Sequence, residues 1–332
     1  MTQPLVSIII INYDGKKLLV NCFESLSKIT YSNVEIILID NNSSDDSIAY
    51  VKENFSKTII LKLDDNKGFA EPNNIGAKIA KGKYLLFLNN DTVVTKNFVT
   101  EMINIIEKDE KIAICQSLLL KPDGTIDSSG DFIDELGIVY NSKSKIDDVR
   151  EITSARGASM LIRKEIFDKL SGFDESFFVS FEDVDLGWRS WIANYKVVIV
   201  PSSIVYHLGG QTSNKIKDEI AFHGFKNQLS MKITNFETFL GIKVLFKFSI
   251  IYGIKETKIW FDYFLKGNTA ITPTKYETSI AKKPSFKIIL KSIFWILSNQ
   301  KYLRKKHKLV NSTRLLSTTQ LKKLNIISNS LQ

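Results

Sequence analysis

Residues 5–11 are Ile, Leu and Val except for Ser7. An apolar run with no polar alternation is the pattern of a strand buried on both faces of a parallel sheet. Helical spacing follows over 16–29, and the two patterns then alternate along the chain. The strands fall at 34–39, 58–63 and 84–88, and the helices at 45–55 and 69–80, the second of these ended by Gly82. This alternation predicts a doubly wound, mainly parallel α/β sheet with flanking helices, in which ligands bind beyond the carboxyl ends of the strands.

After Asp91 the pattern loosens into a helix at 96–108, a strand at 112–120, and a hairpin with surface loops over 121–150. It tightens again at a strand over 159–162, helices over 164–170 and 182–195, and strands over 197–200 and 204–207. Val184, Trp188, Trp191, Ile192 and Tyr195 form the apolar stripe of the second helix. Beyond about residue 230 the chain turns to Phe, Ile, Leu and Lys with two helix-like stretches, 239–265 and 285–298. The expected division is a catalytic part over 1–230 and a basic amphipathic helical region over 231–332.

Composition sharpens that division. From residue 231 onward 19 Lys and Arg stand against four Asp and Glu, whereas the first 230 residues hold 26 against 32. A mildly acidic globular part joined to a strongly basic one implies that the basic part meets something anionic. No uncharged run reaches the ~18 residues needed to span a bilayer; the nearest, 239–254, is broken by Lys243 and Lys247. The two cysteines, Cys22 and Cys115, lack metal-type or redox-type spacing, so a disulfide framework and a zinc site are not expected. Met1-Thr2-Gln3-Pro4 runs into the first strand without a basic leader, so no secretory signal is expected.

Polar residues interrupt the strand ends at four places. Asn12-Tyr13-Asp14 closes strand one, where Asp14 could start a turn and an aromatic with an amide could stack on and hydrogen-bond a nucleobase. Asp40-Asn41-Asn42-Ser43-Ser44 closes strand two. Helix capping accounts for Ser43 or Ser44 but not for Asp40, a carboxylate able to accept an N–H from a pyrimidine ring. Asn66-Lys67-Gly68-Phe69 with Asn73 reads equally as a plain loop or as a phosphate-facing helix start. Asn89-Asn90-Asp91 follows strand four, where a carboxylate can hold a hard divalent cation that neutralises a diphosphate leaving group.

Together these features resemble the GT-A glycosyltransferases, specifically the inverting family-2 enzymes of the rhamnosyltransferase-like kind, over residues 4–230. The resemblance implies a nucleotide-sugar donor whose uracil or thymine meets Asp40, with Asn12, Tyr13, Asn42, Asn66, Gly68, Asn73, Asn89 and Asn90 around it. It implies a metal, Mn²⁺ or Mg²⁺, at Asp91, the last residue of the segment matching D-x-D. Asn89 replaces the first Asp of that motif, so Asp91 carries the metal role alone within it.

The segment Gly172-Phe173-Asp174-Glu175 leading into Glu182-Asp183-Val184-Asp185-Leu186 reads on its own as a helix start with Ser180 as N-cap and acids in the first turn. The resemblance makes Asp183 the general base for the acceptor hydroxyl, with Glu182 in support. It makes His207 a ligand of the metal or the diphosphate, and it puts Gly157, Ala158 and Trp188 on the acceptor side. His223, Lys226 and Asn227 resemble a basic helix near the diphosphate. The implied acceptor is a glycan or lipid-linked saccharide, with the chain peripheral on the inner face of the cell membrane and its basic region on anionic lipid.

Two other classes are weighed against this. A sugar-phosphate nucleotidyltransferase shares the sheet, but it needs a Gly-rich loop with Arg and Lys after strand one, and Asn12-Tyr13-Asp14-Gly15 is not one. A nucleic-acid-binding protein could use the basic region, but the region carries no reader motif, so no nucleic acid is expected.

Overall fold

The structure is a computed structural model, and it describes residues 3–209, 217–237 and 286–328. The chain opens with β1 (Val6–Asn12), α1 (Lys16–Leu26), β2 (Val34–Asp40), α2 (Ser47–Asn54), β3 (Ile59–Lys62), α3 (Ala70–Ile79) and β4 (Tyr84–Asn89). It continues through β5 (Thr92–Val94), α4 (Phe98–Ile106), β6 (Ile112–Leu120), β7 (Ile126–Ser128), β8 (Asp131–Asp134), β9 (Val139–Asn141) and β10 (Arg150–Glu151). Next come β11 (Ser159–Arg163), α5 (Lys164–Lys169), α6 (Glu182–Ile192), β12 (Lys196–His207) and α7 (Lys217–Asn235). The last described elements are α8 (Phe286–Ser298), α9 (Gln300–Ser312), α10 (Thr318–Lys323) and β13 (Ile327–Ser328).

The main sheet has the order β10-β12-β6-β11-β4-β1-β2-β3, with β5 beside β12 and β7 beside β6. Strands β3, β2, β1 and β4 run parallel, as do β6 and β12, and β11 runs antiparallel between β4 and β6. The expected α/β class with a mainly parallel sheet is therefore the observed one. Its physical basis is visible in the alternation of side chains. Ile8, Ile10, Leu38, Leu86 and Leu88 pack with Leu19, Phe23, Phe98 and Met102 on one face. Ile9, Ile37, Ile39, Leu85 and Phe87 pack with Ala77, Phe167 and Trp188 on the other. Each such side chain taken fully out of water contributes about 1.5–3 kcal/mol, which is why these strands read as mainly apolar runs.

Three local expectations are corrected. The two strands expected over 197–207 are one, β12, whose register with β6 shifts between Val200 and Ile204. The stretch 121–150 is not only a hairpin and loops: β8 and β9 form a second sheet with β13, so residues 327–328 return to pair with β8. Ser180 does not cap α6. Phe181 occupies that position in the left-handed region, and no side chain caps the helix.

The boundary expected at residue 230 falls inside α7, and the later helices pack back onto the earlier part. Lys306 of α9 pairs with Asp174 at 3.0 Å and lies 3.6 Å from Asp185. Of the two helices expected in the basic region, one is α8, and the other, 239–265, lies outside the described residues.

Candidate active site

The carboxyl ends of β1, β2 and β4 set the donor side. Parallel register puts Asn12 beside Asp40 and Ile11 beside Asn89. Asp40 is fully buried; its Oδ1 accepts the N–H of Ser43 at 3.0 Å, while its Oδ2 has no hydrogen-bond partner. A buried carboxylate oxygen left unpaired is costly, and a ligand N–H would relieve that cost. Asn12 is engaged within the protein instead. Its amide donates to Ser43 Oγ at 3.1 Å and Ser47 Oγ at 2.9 Å, and its carbonyl accepts from Asn90 at 2.8 Å. This explains why Ser43 is not free to cap α2, whose N-cap position is Asp46. Tyr13 is 38% exposed, and Asn42 is exposed with φ 68.

A residue that the sequence did not single out, Asn41, shapes the third loop. It donates to Asn66 Oδ1 and Gly68 O, each at 2.8 Å, and accepts from Lys67 N at 2.9 Å. Gly68 has φ 77, and a Cβ there would sit 2.1 Å from Phe178 O, so only glycine lets this loop close on the segment before α6. Asn73 is 1% exposed and donates to Phe69 O at 2.9 Å within the first turn of α3.

The pairing of β5 with β12 sets Thr92 opposite His207 and so brings Asp91 to the imidazole. His207 Nε2 lies 3.4 Å from Asp91 Oδ1, and its Nδ1 lies 2.9 Å from Asp127 Oδ2. Burial alone would lower the pKa of His207, but the hydrogen bonds to Asp127 and Asp91 outweigh it and raise the pKa to about 9. Asp127, on β7, is held below the usual carboxylate range because its bond to His207 outweighs its own burial. Its segment carries no periodic signal, which is why sequence reasoning passed over it. Carboxylate–imidazole–carboxylate is the arrangement in which an outer acid orients a metal-ligating histidine. Asp91 and His207 thus offer the oxygen and nitrogen donors that suit Mn²⁺ or Mg²⁺. Among the described residues no group of three His, Cys, Asp or Glu converges on one ion, so these two would leave the remaining positions to ligand oxygens and water.

The third component sits at the start of α6. Ser180 and Phe181 are both left-handed, with φ 73 and φ 70, a turn that α7 secures: Asn227 donates to Val179 O at 3.0 Å and to Ser180 O at 2.6 Å. Beyond the turn, Asp183 Oδ2 accepts the N–H of Gly157 at 2.9 Å and Oδ1 accepts that of Val184 at 2.8 Å. Burial raises the pKa of Asp183 against the stabilising Gly157 N–H and the Arg156 charge. Burial first, and the Asp183 charge second, lift Glu182 well above the ordinary range, and Glu182 Oε2 has no hydrogen-bond partner. The Gly157 and Val184 N–H groups and the Arg156 charge favour the Asp183 anion, while burial and the Asp183 charge push Glu182 up, so Asp183 is the stronger acid of the pair. Arg156 Nε lies 3.3 Å from both oxygens of Asp131, which burial pushes up to about 6 despite Arg156.

A cleft of about 300 Å³ joins these groups, lined among others by Asn89, Arg156, Gly157, Glu182, Asp183 and His207. Ala158 and Phe69 also line it. Asp91 borders it through His207, and Asp40 lies farther along the sheet, with β1 between its strand and β4. Trp188 is not on the acceptor side. It is fully buried and packs edge-on against Phe236 at 4.7 Å, because five residues of helix turn it about 140° from Asp183, toward the core. Lys226 is also buried, donating to Ser176 O and lying 4.5 Å from the Trp295 ring, so it holds the loop before α6 and is not presented to a diphosphate.

Residues 7–171 match the family described as Glycosyl transferase family 2. The O-antigen biosynthesis protein RfbC of Myxococcus xanthus is 30% identical over 220 residues, 61% of this chain and 17% of that protein. WfaP of Escherichia coli, a UDP-Glc:α-D-GlcNAc-diphosphoundecaprenol β-1,3-glucosyltransferase, is 36% identical over 111 residues, 32% of this chain and 43% of that one. The chain thus spans less than half the length of each of these two relatives. A crystal structure of GalNAc-T7 with UDP, GalNAc and Mn²⁺ superposes with a TM-score of 0.57 at 20% identity, over 70% of this chain and 48% of that one, a likeness of fold. With a sheet of this topology and a matching family signature through β1–α5, residues 7–171 belong to glycosyl transferase family 2.

Proposed function

We propose that the chain is an inverting hexosyltransferase that moves a sugar from a UDP- or dTDP-sugar to a hydroxyl of a glycan or lipid-linked saccharide during cell-surface polysaccharide synthesis. The observation that carries this reading is one cleft lined by both Asp183 and His207, a carboxylate aimed by a backbone N–H and an imidazole beside Asp91. The O-antigen role of RfbC and the diphosphoundecaprenol-linked acceptor of WfaP support the acceptor class. The UDP in the GalNAc-T7 structure supports the donor class. The rhamnosyltransferase-like resemblance adds dTDP-rhamnose to the donors to be tried.

Asp183, as the anion, takes the proton of the acceptor hydroxyl while that oxygen attacks the anomeric carbon. The bond from that carbon to the diphosphate oxygen breaks, and the nucleoside diphosphate leaves from the opposite face, so a single displacement inverts the configuration. Asp40 Oδ2 accepts the ring N–H of the uracil or thymine. Asp91 and His207 would hold Mn²⁺ or Mg²⁺, which supplies charge neutralisation at the leaving diphosphate. On this reading the chain works at the inner face of the cell membrane, where a lipid-linked acceptor is met.

Thermal unfolding with UDP-, dTDP- and GDP-sugars in the presence of Mn²⁺ tests the reading. A donor at 100 times its Kd stabilises the fold by about 2.7 kcal/mol, a readily measured rise in Tm. A rise with UDP- or dTDP-sugars and not with GDP-sugars is expected. No rise with any of them would remove the donor assignment.

A further inference from the structure

Helix α8 carries four large apolar side chains on its outside. Leu290, Ile293, Phe294 and Leu297 are 51%, 43%, 71% and 64% exposed. Their spacing of three, one and three residues sets them on one arc of about 100°, at 3.6 residues per turn. Scattered surface leucines need no explanation, but a contiguous stripe on a single helix face does. The opposite side of the helix is in use: Trp295 lies against Lys226, and Ser292 and Ile296 are buried.

The helical phase continues across the break at Asn299. Ile296, Leu303 and Val310 are all buried and stand seven residues apart, so α9 presents the same side to the protein as α8 does. The outward side of α9 then continues the apolar stripe in the series Leu297, Lys301, Arg304, Lys308, at steps of four, three and four. Lys301, Arg304, Lys305 and Lys308 are all exposed, and residues 286–328 contain no Asp or Glu. One outward face thus begins apolar and ends strongly cationic.

We infer that this face of α8 and α9 is a docking surface for an anionic lipid bilayer. Phe294 and Leu297 enter the boundary between head groups and acyl chains, and the four cations of α9 lie on lipid phosphates. Charge complementarity selects this occupant. A second copy of the chain would bring the same cations against one another, at a like-charge cost, and a zwitterionic surface would leave them unmatched. No described helix is long and apolar enough to cross a membrane. The inference deepens the membrane location given under the proposed function and rests on it only for biological sense, since the surface is defined by exposure and charge.

Through Lys226 and Ser176, the back of α8 holds the loop that leads to Asp183, so the lipid face and the base-bearing turn share one helix as support.

Flotation of the full chain with phosphatidylglycerol vesicles and with pure phosphatidylcholine vesicles tests this. Binding is expected to the first and not to the second, and high salt should weaken it. The Phe294→Ser, Leu297→Ser double variant and the Lys301→Gln, Arg304→Gln, Lys305→Gln, Lys308→Gln variant should each lose about tenfold or more in vesicle affinity. Both should keep the wild-type Tm and the wild-type Tm rise with nucleotide sugar and Mn²⁺. Wild type that does not float, or variants that float like wild type, would overturn the inference. So would a wild-type dimer in solution that the Phe294→Ser, Leu297→Ser change makes monomeric without altering flotation, since the stripe would then serve a second copy. Intact flotation with no donor-induced Tm rise would instead overturn the glycosyltransferase reading and leave the surface standing.

Discussion

The backbone N–H of Gly157 donates to Asp183 Oδ2 at 2.9 Å, across 26 residues of sequence, and so aims the carboxylate into the cleft that it shares with His207. The helix start alone could not do this. A carboxylate in a first turn ordinarily turns back on its own N–H groups, and only one oxygen of Asp183 does so, toward Val184.

Asp183→Asn should lower turnover by about 10²–10⁴-fold, the usual worth of a positioned base, with the donor-induced Tm rise kept. Near-normal turnover would take Asp183 out of the mechanism. Glu182 is the weaker acid of the pair, so Glu182→Gln should retain most of the activity. A loss as deep as that of Asp183→Asn would mean that the pair's charge sits on Glu182.

The acid side of the kcat/KM profile should lie above the ordinary carboxylate range of about 3.9–4.3. Burial raises Asp183, and its anion is the working form, so activity falls as pH drops through that raised value. A profile of the wild type flat down to pH about 4 would contradict the assignment.

A Cβ on Gly157 would come within 2.8 Å of Phe69 Cζ. Gly157→Ala should therefore displace the Phe69 ring or the turn carrying Asp183's donor, lowering kcat by about tenfold to a hundredfold, as small misplacements of catalytic groups do. Steady-state kinetics with unchanged donor affinity are the expected signature, and an unaltered kcat would show that the bond has no positioning role.

Asp127 meets the cleft through its bond to His207 Nδ1. Asp127→Asn should weaken Mn²⁺-dependent donor binding by about 10–100-fold, as loss of an outer carboxylate does, while metal-free nucleotide binding stays as in wild type. Isothermal titration with and without Mn²⁺ separates the two, and equal losses in both would assign Asp127 a structural role. Chelation of the metal from the wild type should reproduce the Asp127→Asn effect on donor binding.

Asp40→Asn keeps an oxygen for Ser43 and replaces the unpaired oxygen with an N–H₂ that opposes a ring N–H. Donor affinity should fall by about 1–3 kcal/mol, with the Tm of the free protein little changed. Titration with UDP and dTDP reads the first and thermal melting the second; undiminished affinity would dismiss the base contact.

Much of this site could be read from the chain alone. Strands β1, β2 and β4 lie between two helical layers, so apart from Ser7 and Glu35 near their starts the positions in them are apolar until the strand leaves the core. Asn12, Asp40 and Asn89 therefore stand out as polar residues at strand ends, and the end of a parallel strand is where this topology opens to ligands. Periodicity determined that much because it reports burial, and burial acts residue by residue.

Which group meets which was decided only by the tertiary structure. Asp127 reaches His207 across 80 residues, from a segment whose pattern shows no regular element. Asn12 and Asn41 proved to be wired into neighbouring loops, while Asp40 kept a free oxygen. Trp188 turned to the core and Phe294 to the outside, although both sit on apolar helix faces. A sequence states which side chains avoid water; which of them find a neighbour depends on how distant elements pack, since hydrogen bonds and contacts form between surfaces that only the folded chain brings together.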